Sequence, residues 1–212
     1  MNIIGISGFA GSGKDTVSDF LLANPMVYKI AFADPIKNFA KEMWDFSYNQ
    51  LFGPSQYRTQ PDERYLLNNE KGYLTSRHVL QGIGQAGRDL DQDVWARYGV
   101  EIAKKILQPG WRYTKGKLVH DPQMKPANAV IISDCRYSNE LRYIKQSGGI
   151  LIRVTRPGSG LQGEFGKHKS ETEMSTISDL EFDFVINNTG TLEDLRKTVD
   201  NIYSEITSHN SV

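Results

Sequence analysis

The 212-residue sequence predicts an α/β fold with three layers, α/β/α, in which helices cover both faces of a mainly parallel sheet of about five strands. Apolar runs alternate with amphipathic segments, as expected when helices connect parallel strands. The first apolar run also leads directly into a glycine-rich loop that ends in lysine and precedes a helical pattern, which is the strand–loop–helix order of a phosphate-binding P-loop.

The elements are predicted in chain order from hydrophobic spacing and from capping residues. Asp34 before Pro35, and Thr191 three residues before Asp194, indicate helix starts. The strands are predicted at Asn2–Ser7, Val27–Phe32, Ala129–Ser133, Gly149–Thr155 and Asp183–Asn187. The helices are predicted at Lys14–Ala23, Pro35–Trp44, Arg77–Asp89, Asp93–Leu107, Asn139–Ser147 and Leu192–Ser208. We expect Ser47–Ser76 to be irregular, and we expect both this segment and Pro157–Ser170 to be mobile.

The loop Gly8–Thr16 carries the strongest chemical signal. Glycines let successive backbone N–H groups turn toward phosphates, and the lysine reaches the β and γ oxygens. Gly11, Ser12, Gly13 and Lys14 therefore predict a nucleoside triphosphate site. Asp15 stands where the motif has a magnesium-binding hydroxyl, so either Asp15 or Thr16 is expected to lie near Mg²⁺.

Two other interpretations of the loop are a tight strand-to-helix turn and a dinucleotide-binding loop. Lys14, directly after the last glycine, argues against both.

Composition limits the partners. Lysine plus arginine and aspartate plus glutamate number 25 each, so no global field favours nucleic acid or an anionic membrane. Cys135 is the only cysteine, which excludes an internal disulfide and suits a reducing compartment. No apolar run approaches the ~20 residues that span a bilayer. We expect a soluble, cytoplasmic protein.

A second group of candidate residues follows the predicted strand Ala129–Ser133. Asp134 at its carboxyl end is expected to orient the Mg²⁺ shell or an arginine, because ligands of open parallel sheets bind at that edge. Arg136 and Glu140 would extend the charged cluster. The alternative is that Asp134 caps the following helix.

A third group is the glycine-containing segment Pro157–Ser170, which is bordered by Arg153 and Arg156 and followed by Glu171. Phosphoryl transfer needs a cationic flap that excludes water, which favours a lid. An ordinary solvated loop explains the composition equally well. His168 suits hydrogen bonding better than metal binding, and the four histidines show no zinc-ligand spacing.

A fourth group could bind an acceptor nucleotide. Arg77, Gln81, Arg88 and Trp95 lie in or beside the segment 80–89, and arginine suits bidentate contact with phosphate. The alternative is stronger here, because Trp95 can pack in the core and the arginines can be solvated.

In these motifs the chain resembles the deoxynucleoside monophosphate kinases of bacteriophages, a branch of the P-loop nucleoside monophosphate kinases. The resemblance covers most of the chain. It is carried by Gly8–Thr16 with its aspartate, Phe32–Lys37, Leu80–Trp95, Asp134–Glu140, Arg156-Pro157, His168-x-Ser170-Glu171 and Ile186–Leu192.

The resemblance implies transfer of the γ-phosphate of ATP to a 2′-deoxynucleoside 5′-monophosphate, with Mg²⁺, and no nucleic-acid or membrane partner. It implies one domain with a core (1–46, 127–156 and 179–212), an acceptor-binding segment (about 47–110) and a lid (about 157–170). Monomer and homodimer both stay open. The implied catalytic residues are Lys14, Asp134, Arg136 and Arg156; the implied substrate-binding residues are Arg77, Gln81, Arg88, Trp95, Glu140 and Glu171; the implied metal-binding residues are Asp15, Thr16 and Asp134.

Three other functions remain open at this point. A kinase of dephospho-coenzyme A or phosphomevalonate would share the architecture. A nucleotide-gated switch belongs to another class, and no N-K-x-D guanine signature supports it. A nucleic-acid end kinase is disfavoured by the neutral charge balance.

Overall fold

A computed structural model describes residues 2–68, 72–114, 116–160 and 169–208, and for residues 169–171 it describes the backbone alone. The described strands are β1 (Asn2–Ser7), β2 (Val27–Ile30), β3 (Pro61–Leu66), β4 (Tyr73–Thr75), β5 (Trp111–Thr114), β6 (Lys117–His120), β7 (Ala129–Cys135), β8 (Ile150–Thr155) and β9 (Phe184–Asn187). The described helices are α1 (Lys14–Leu22), α2 (Asp34–Trp44), α3 (Tyr48–Phe52), α4 (Ser55–Arg58), α5 (Ser76–Leu90), α6 (Val94–Ile106), α7 (Ser138–Gln146), α8 (Lys169–Thr176) and α9 (Leu192–Ser208).

The central sheet has the strand order β2-β7-β1-β8-β9, and its described pairs are all parallel. β1 lies in the middle, where Ile4 pairs with Ile131 of β7 on one side and with Ile150 of β8 on the other. After β1 the chain runs to the edge strand β2 on one side of the sheet, and it then crosses through β7 and β8 to β9 at the other edge, so the direction of its connections reverses beside β1. Ligands of such sheets bind at this switch point, outside the carboxyl ends of the strands.

Both faces of the sheet are covered by helices. Alternate residues of β1 point to opposite faces, so Ile3 packs in one apolar cluster while Ile4 and Ile6 pack in another. The first cluster contains residues of α6 and α7, and the second contains residues of α1 and α9. The predicted three-layer α/β/α fold with five parallel strands is confirmed.

The predicted elements of this sheet agree with the structure to within about two residues at each end. Thr191 and Asp194 form the expected reciprocal cap: the Thr191 hydroxyl accepts from the Asp194 N–H at 3.2 Å, and Asp194 Oδ2 accepts from the Thr191 N–H at 3.0 Å. The prediction that Asp34 precedes its helix is wrong, because α2 begins at Asp34 itself and Ala33 is the N-cap residue.

The expectation that Ser47–Ser76 is irregular is wrong for its described residues. They form α3, α4 and the antiparallel pair β3–β4. Polar side chains stabilise this segment: Ser47 and Gln50 form a capping box at the start of α3. Buried Asp62 accepts from Arg64 at 2.9 and 2.8 Å and from Gln50 at 3.0 Å. Polar residues that satisfy one another locally leave no hydrophobic periodicity in the sequence.

The described residues divide into two compact units. The first, the sheet unit, comprises those of Met1–Phe32, Ala96–Thr114 and Leu118–Val212; the second, the insert unit, comprises those of Ala33–Trp95 and Lys115–Lys117. These boundaries differ from the predicted core and acceptor-binding segment. Residues 33–46 join the insert unit because α2 packs on α5, and 96–106 join the sheet unit because α6 packs on the sheet.

Within the part of the chain that the structure describes, no helix combines the length and apolarity needed to cross a membrane.

Candidate functional site

The glycine-rich loop lies between β1 and α1, at the carboxyl edge of the central strand. All six residues of β1 are buried, which anchors the start of the loop in the core. Gly11 and Gly13 have φ values of +81° and +98°, a region in which side chains other than glycine are strained. Two backbone bonds close the loop: Ser12 N–H donates to Phe9 O at 3.1 Å, and Val17 N–H donates to Gly13 O at 3.0 Å.

Close contacts explain why Gly8 and Gly13 carry no side chain. A Cβ atom at Gly8 would lie 2.6 Å from both the Val154 carbonyl oxygen and the Ser12 hydroxyl. A Cβ atom at Gly13 would lie 2.3 Å from the side-chain nitrogen of Asn188. At Gly11 nothing lies within 4 Å, so only its left-handed backbone requires glycine. The loop is therefore packed from behind, by the ends of β8 and β9.

Lys14 and Asp15 begin the helix that follows the loop. The Lys14 ammonium lies 3.2 and 3.1 Å from the two carboxylate oxygens of Asp15. The lysine side chain is 13% exposed and the aspartate side chain is 73% exposed. A pair with one partner so exposed is weak, typically worth 0 to about 1 kcal/mol. An anion bound in the loop could therefore replace Asp15 as the partner of the Lys14 ammonium.

The loop fits a phosphate group in two respects. Among the described residues the buried Ser12 hydroxyl has no hydrogen-bond partner, and the N-terminus of α1 opens directly from the loop, with positive field and unpaired N–H groups. Asp15 and the half-buried Thr16 both lie in the first turn of α1, where either can supply an oxygen to Mg²⁺. No group of three or more histidine, cysteine, aspartate or glutamate side chains in the described ranges is placed to hold a metal by itself.

Asp134 lies near the end of β7, at the same carboxyl edge of the sheet. Its Oδ1 accepts the backbone N–H of Phe32 at 2.7 Å and so fastens the chain after β2 to β7. The alternative interpretation as a helix cap is wrong, because the N-cap residue of α7 is Tyr137. The role of Asp134 near Mg²⁺ stays a prediction.

Glu140 lies inside the sheet unit, in the first turn of α7. Its Oε2 accepts the backbone N–H groups of Arg136 at 2.6 Å and Tyr137 at 3.0 Å, which fixes the turn that carries Arg136. Burial, followed by the nearby carboxylate of Asp134, raises the pKa of Glu140 to about 8. Burial likewise raises the pKa of the Cys135 thiol. With 6% of its surface exposed, Glu140 is suited to position this turn more than to contact a substrate.

Arg153 and Arg156 occupy different environments. Arg156 is exposed, directly after β8. Arg153 is buried, and its guanidinium donates to the Ile177 carbonyl at 2.5 Å, pairs with Asp179 at 3.1 Å and lies over the Phe182 ring. Arg153 therefore stabilises the segment after α8.

The predicted lid lies largely outside the described residues, which omit 161–168 and the side chains of 169–171. The predictions for His168 and Glu171 cannot be compared with any described contact. Before this gap, the Gly160 N–H donates to the Ala10 carbonyl of the glycine-rich loop at 2.8 Å.

The insert unit carries the other predicted substrate residues. Arg77, Gln81 and Arg88 lie along one face of α5, since their spacing of four and seven residues brings them to nearly the same helical angle. Gly84 falls on the same face, and the Arg88 guanidinium would lie 3.5 Å from a Cβ atom there. Arg77 also donates to the Ser55 hydroxyl at 2.7 Å.

Trp95 packs against this helix. Its indole N–H donates to the Gly84 carbonyl at 3.0 Å, and a Cβ atom at Gly87 would lie 2.3 Å from its ring. The packing alternative therefore describes Trp95 well.

Sequence reasoning gave no role to Asn188 or to the largely buried ion pair of Asp34 with Lys37. Asn188 donates to the Ser12 carbonyl at 2.8 Å. Lys37 Nζ lies 3.2 Å from Asp34 and 5.0 Å from the Phe52 ring centroid, within the insert unit. The rule that picked out Asp134, a polar residue at the carboxyl end of a strand, would also have found Asn188.

Comparisons with known proteins agree with this geometry. A protein of Acanthamoeba polyphaga mimivirus named "Putative deoxynucleotide monophosphate kinase" is 32% identical over 209 residues, which is 98% of this chain and 95% of the relative. The solved structure of dephospho-CoA kinase from Campylobacter jejuni aligns with 99% of this chain and 98% of its own, with 16% identity and a TM-score of 0.51, which shows a shared fold. The chain matches no protein-family model.

Proposed function

The chain belongs to the deoxynucleotide monophosphate kinase family, and from this membership we propose that it transfers the γ-phosphoryl group of ATP to 2′-deoxynucleoside 5′-monophosphates. The products would be the diphosphates that supply DNA precursors. One observation carries the proposal: the glycine-rich loop with Lys14 directly follows the central strand of the sheet. The chain that contains it matches a kinase-named relative over nearly its whole length.

The donor side of the proposed reaction lies in the sheet unit. The triphosphate of ATP is held by the backbone of Gly8–Thr16, which includes Gly11, Ser12 and Gly13, and Lys14 neutralises its β and γ oxygens. Mg²⁺, when bound, neutralises further charge on the same oxygens; Asp15, Thr16 and Asp134 are the candidate ligands.

Arginines at the carboxyl edge of the sheet complete the charge neutralisation. Arg136 follows β7 and Arg156 follows β8, so both lie at the edge from which the phosphate loop opens. Glu140 holds the turn of Arg136 through two N–H bonds, which is a positioning role. An acceptor phosphate is already ionised at neutral pH, so the reaction requires no general base and depends on positioning and charge.

The acceptor side is proposed on α5 of the insert unit. Arg77 and Arg88 are the candidate phosphate-binding arginines, and Gln81 between them can bind a base or sugar hydroxyl. Gly84 on that face is buried, and a Cβ atom there would lie 3.5 Å from both the Arg88 guanidinium and the Ile36 side chain of α2. Trp95 packs on Gly84 and Gly87 and thereby supports this face. The predicted contact of Glu171 with substrate is retained as part of the proposal.

The proposal includes narrower assignments that rest on the sequence resemblance. These are membership of the bacteriophage branch, action in the cytoplasm of a host cell, and closure of residues 157–170 over the reactants. Light scattering at several protein concentrations would decide between a monomer and a homodimer.

A substrate panel tests the function. Purified protein is incubated with MgATP and separately with each dNMP, each NMP, dephospho-coenzyme A and phosphomevalonate, and ADP is measured together with the phosphorylated product. We expect diphosphate formation that favours the deoxy series. ADP without acceptor dependence would indicate a nucleotide-gated switch, and product from either non-nucleotide acceptor would replace the proposed substrate class.

Lys14→Ala tests the donor site. Loss of one preorganised charge contact should lower the rate at least ~10²-fold while the fold is retained. Lys197→Ala is the matched control, because Lys197 is an exposed lysine of α9 paired with Glu193. Full activity of Lys14→Ala would remove the central assignment.

A further inference from the structure

Asn188 lies behind the phosphate loop, directly after β9. It is 9% exposed, and both its main chain and its side chain are held. Its backbone N–H donates to the Thr155 carbonyl at the end of β8 at 2.8 Å. Its side-chain Nδ2 donates to the Ser12 carbonyl in the loop, also at 2.8 Å. The sheet therefore fixes the main chain of Asn188, and its side chain is hydrogen-bonded to the loop.

The bond to Ser12 sets the direction of the next N–H group. In a trans peptide the carbonyl of one residue and the N–H of the next point in opposite directions, and no peptide bond among the described residues is cis. With the Ser12 carbonyl turned toward Asn188, the Gly13 N–H must point to the opposite side, away from β9. Gly13 is the N-cap of α1, so this N–H adjoins the helix terminus that attracts anions.

We propose that Asn188 is a positioning residue for the triphosphate: it fixes the Ser12–Gly13 peptide so that the Gly13 N–H is ready to bind phosphate. This inference rests on the proposed binding of a nucleoside triphosphate to residues 8–16.

Size and polarity both suit asparagine at this position. A Cβ atom on Gly13 would lie 2.3 Å from Asn188 Nδ2, so the missing side chain of Gly13 makes room for the amide. An aspartate of the same shape has no donor and would face the Ser12 carbonyl with an oxygen. The Ser12–Gly13 peptide would then lose its fixed orientation, and the free energy needed to order it would reduce the affinity for phosphate.

Asn188→Asp tests the inference, with Asn188→Ala as a second variant of different charge. Asn128→Asp is the matched control, because the Asn128 amide also donates to a backbone carbonyl, that of Pro25, at 3.1 Å. Asn128 precedes β7 and so lies at the amino edge of the sheet, away from the loop. Dissociation constants are measured for MgATP and for inorganic tripolyphosphate with Mg²⁺, together with the melting temperature of each variant.

We expect both Asn188 variants to bind ATP and tripolyphosphate about tenfold more weakly, by the same factor for the two ligands, because one hydrogen bond that orients the loop is lost. Asn128→Asp should bind both as the wild type does. Weaker binding of ATP alone would overturn the inference by indicating contact with the nucleoside. A lower melting temperature with unchanged affinities would overturn it in favour of a purely structural role. Failure of the wild type to bind tripolyphosphate would refute a preorganised phosphate loop.

Lys14→Ala, measured in the same assay, distinguishes a failure of this inference from a failure of the proposed function. If Lys14→Ala weakens ATP binding and the Asn188 variants do not, only the role of Asn188 fails. If Lys14→Ala also has no effect, the triphosphate site itself fails.

Discussion

Glu140 should make the stability of this protein depend on pH between about 5 and 7. The perturbation is Glu140→Gln, which keeps an oxygen that can accept from the Arg136 and Tyr137 N–H groups but removes the titratable carboxyl. In the folded protein burial and the Asp134 charge raise the pKa to about 8 from the ordinary value of 4.5, although the two N–H bonds oppose the shift.

The sign follows from proton binding. Between pH 4.5 and about 8 the folded protein holds a proton at Glu140 that the unfolded chain has lost. The free energy of unfolding therefore falls as pH rises through this window, and the contribution is fully present only below the unfolded pKa. Each pH unit is worth about 1.4 kcal/mol, so from pH 5 to pH 7 the wild type loses up to about 3 kcal/mol that Glu140→Gln does not lose.

The assay is urea unfolding of the ligand-free protein at several pH values between about 5 and 7, with circular dichroism and tryptophan fluorescence as the two signals that report unfolding. The difference in unfolding free energy between Glu140→Gln and wild type should shift with pH in favour of the variant. The control is Glu101→Gln, which removes an exposed carboxylate paired with Lys104 on the surface of α6 and should give a nearly constant difference. A constant difference for Glu140→Gln as well would refute the reasoning about its buried proton.

Three further predictions concern packing and capping, and each is checked by the free energy of unfolding in urea. Gly87→Ala should destabilise by about 1–3 kcal/mol, because the new Cβ atom would overlap the Trp95 ring, whereas Gly82→Ala, with nothing within 4 Å, should not destabilise. Arg153→Lys should cost about 1–3 kcal/mol, because lysine keeps the charge but loses the fork that reaches Ile177 and Asp179; an unchanged stability would contradict the anchoring role. Thr191→Ala should cost about 1 kcal/mol through loss of the cap of α9, and a neutral result would show that Asp194 alone suffices.

The regular part of the fold could be predicted because its information is local. Apolar runs such as Asn2–Ser7 and the helical spacing in Leu192–Ser208 mark elements that bury one or both faces, and burial produces periodicity in sequence. The phosphate loop could be recognised for the same reason, since glycines, lysine and the flanking strand and helix are consecutive.

The segment between residues 47 and 76 could not be predicted in this way. Its order comes partly from polar pairs such as Asp62 with Arg64 and from single contacts between distant residues, such as the Ser76 hydroxyl with the Gln50 carbonyl at 2.6 Å. Scattered apolar residues of the segment, Leu51 among them, also pack in a small cluster with Phe46 and Val79. Such contacts leave no repeating pattern in the sequence, so the sequence predicts irregular structure where the fold is ordered.

The sequence by itself determined the α/β class, the order of the sheet elements and the position of the phosphate loop, because short-range patterns of burial and backbone freedom encode them. Only the tertiary structure decided the roles of Asn188, Glu140 and Arg153. Each acts through the partners and burial that the fold gives it, the first by donating to a loop 176 residues away in the chain. A side chain's partner, and the pKa or orientation that results, depends on which strands lie side by side, and that adjacency exists only once the sheet has formed.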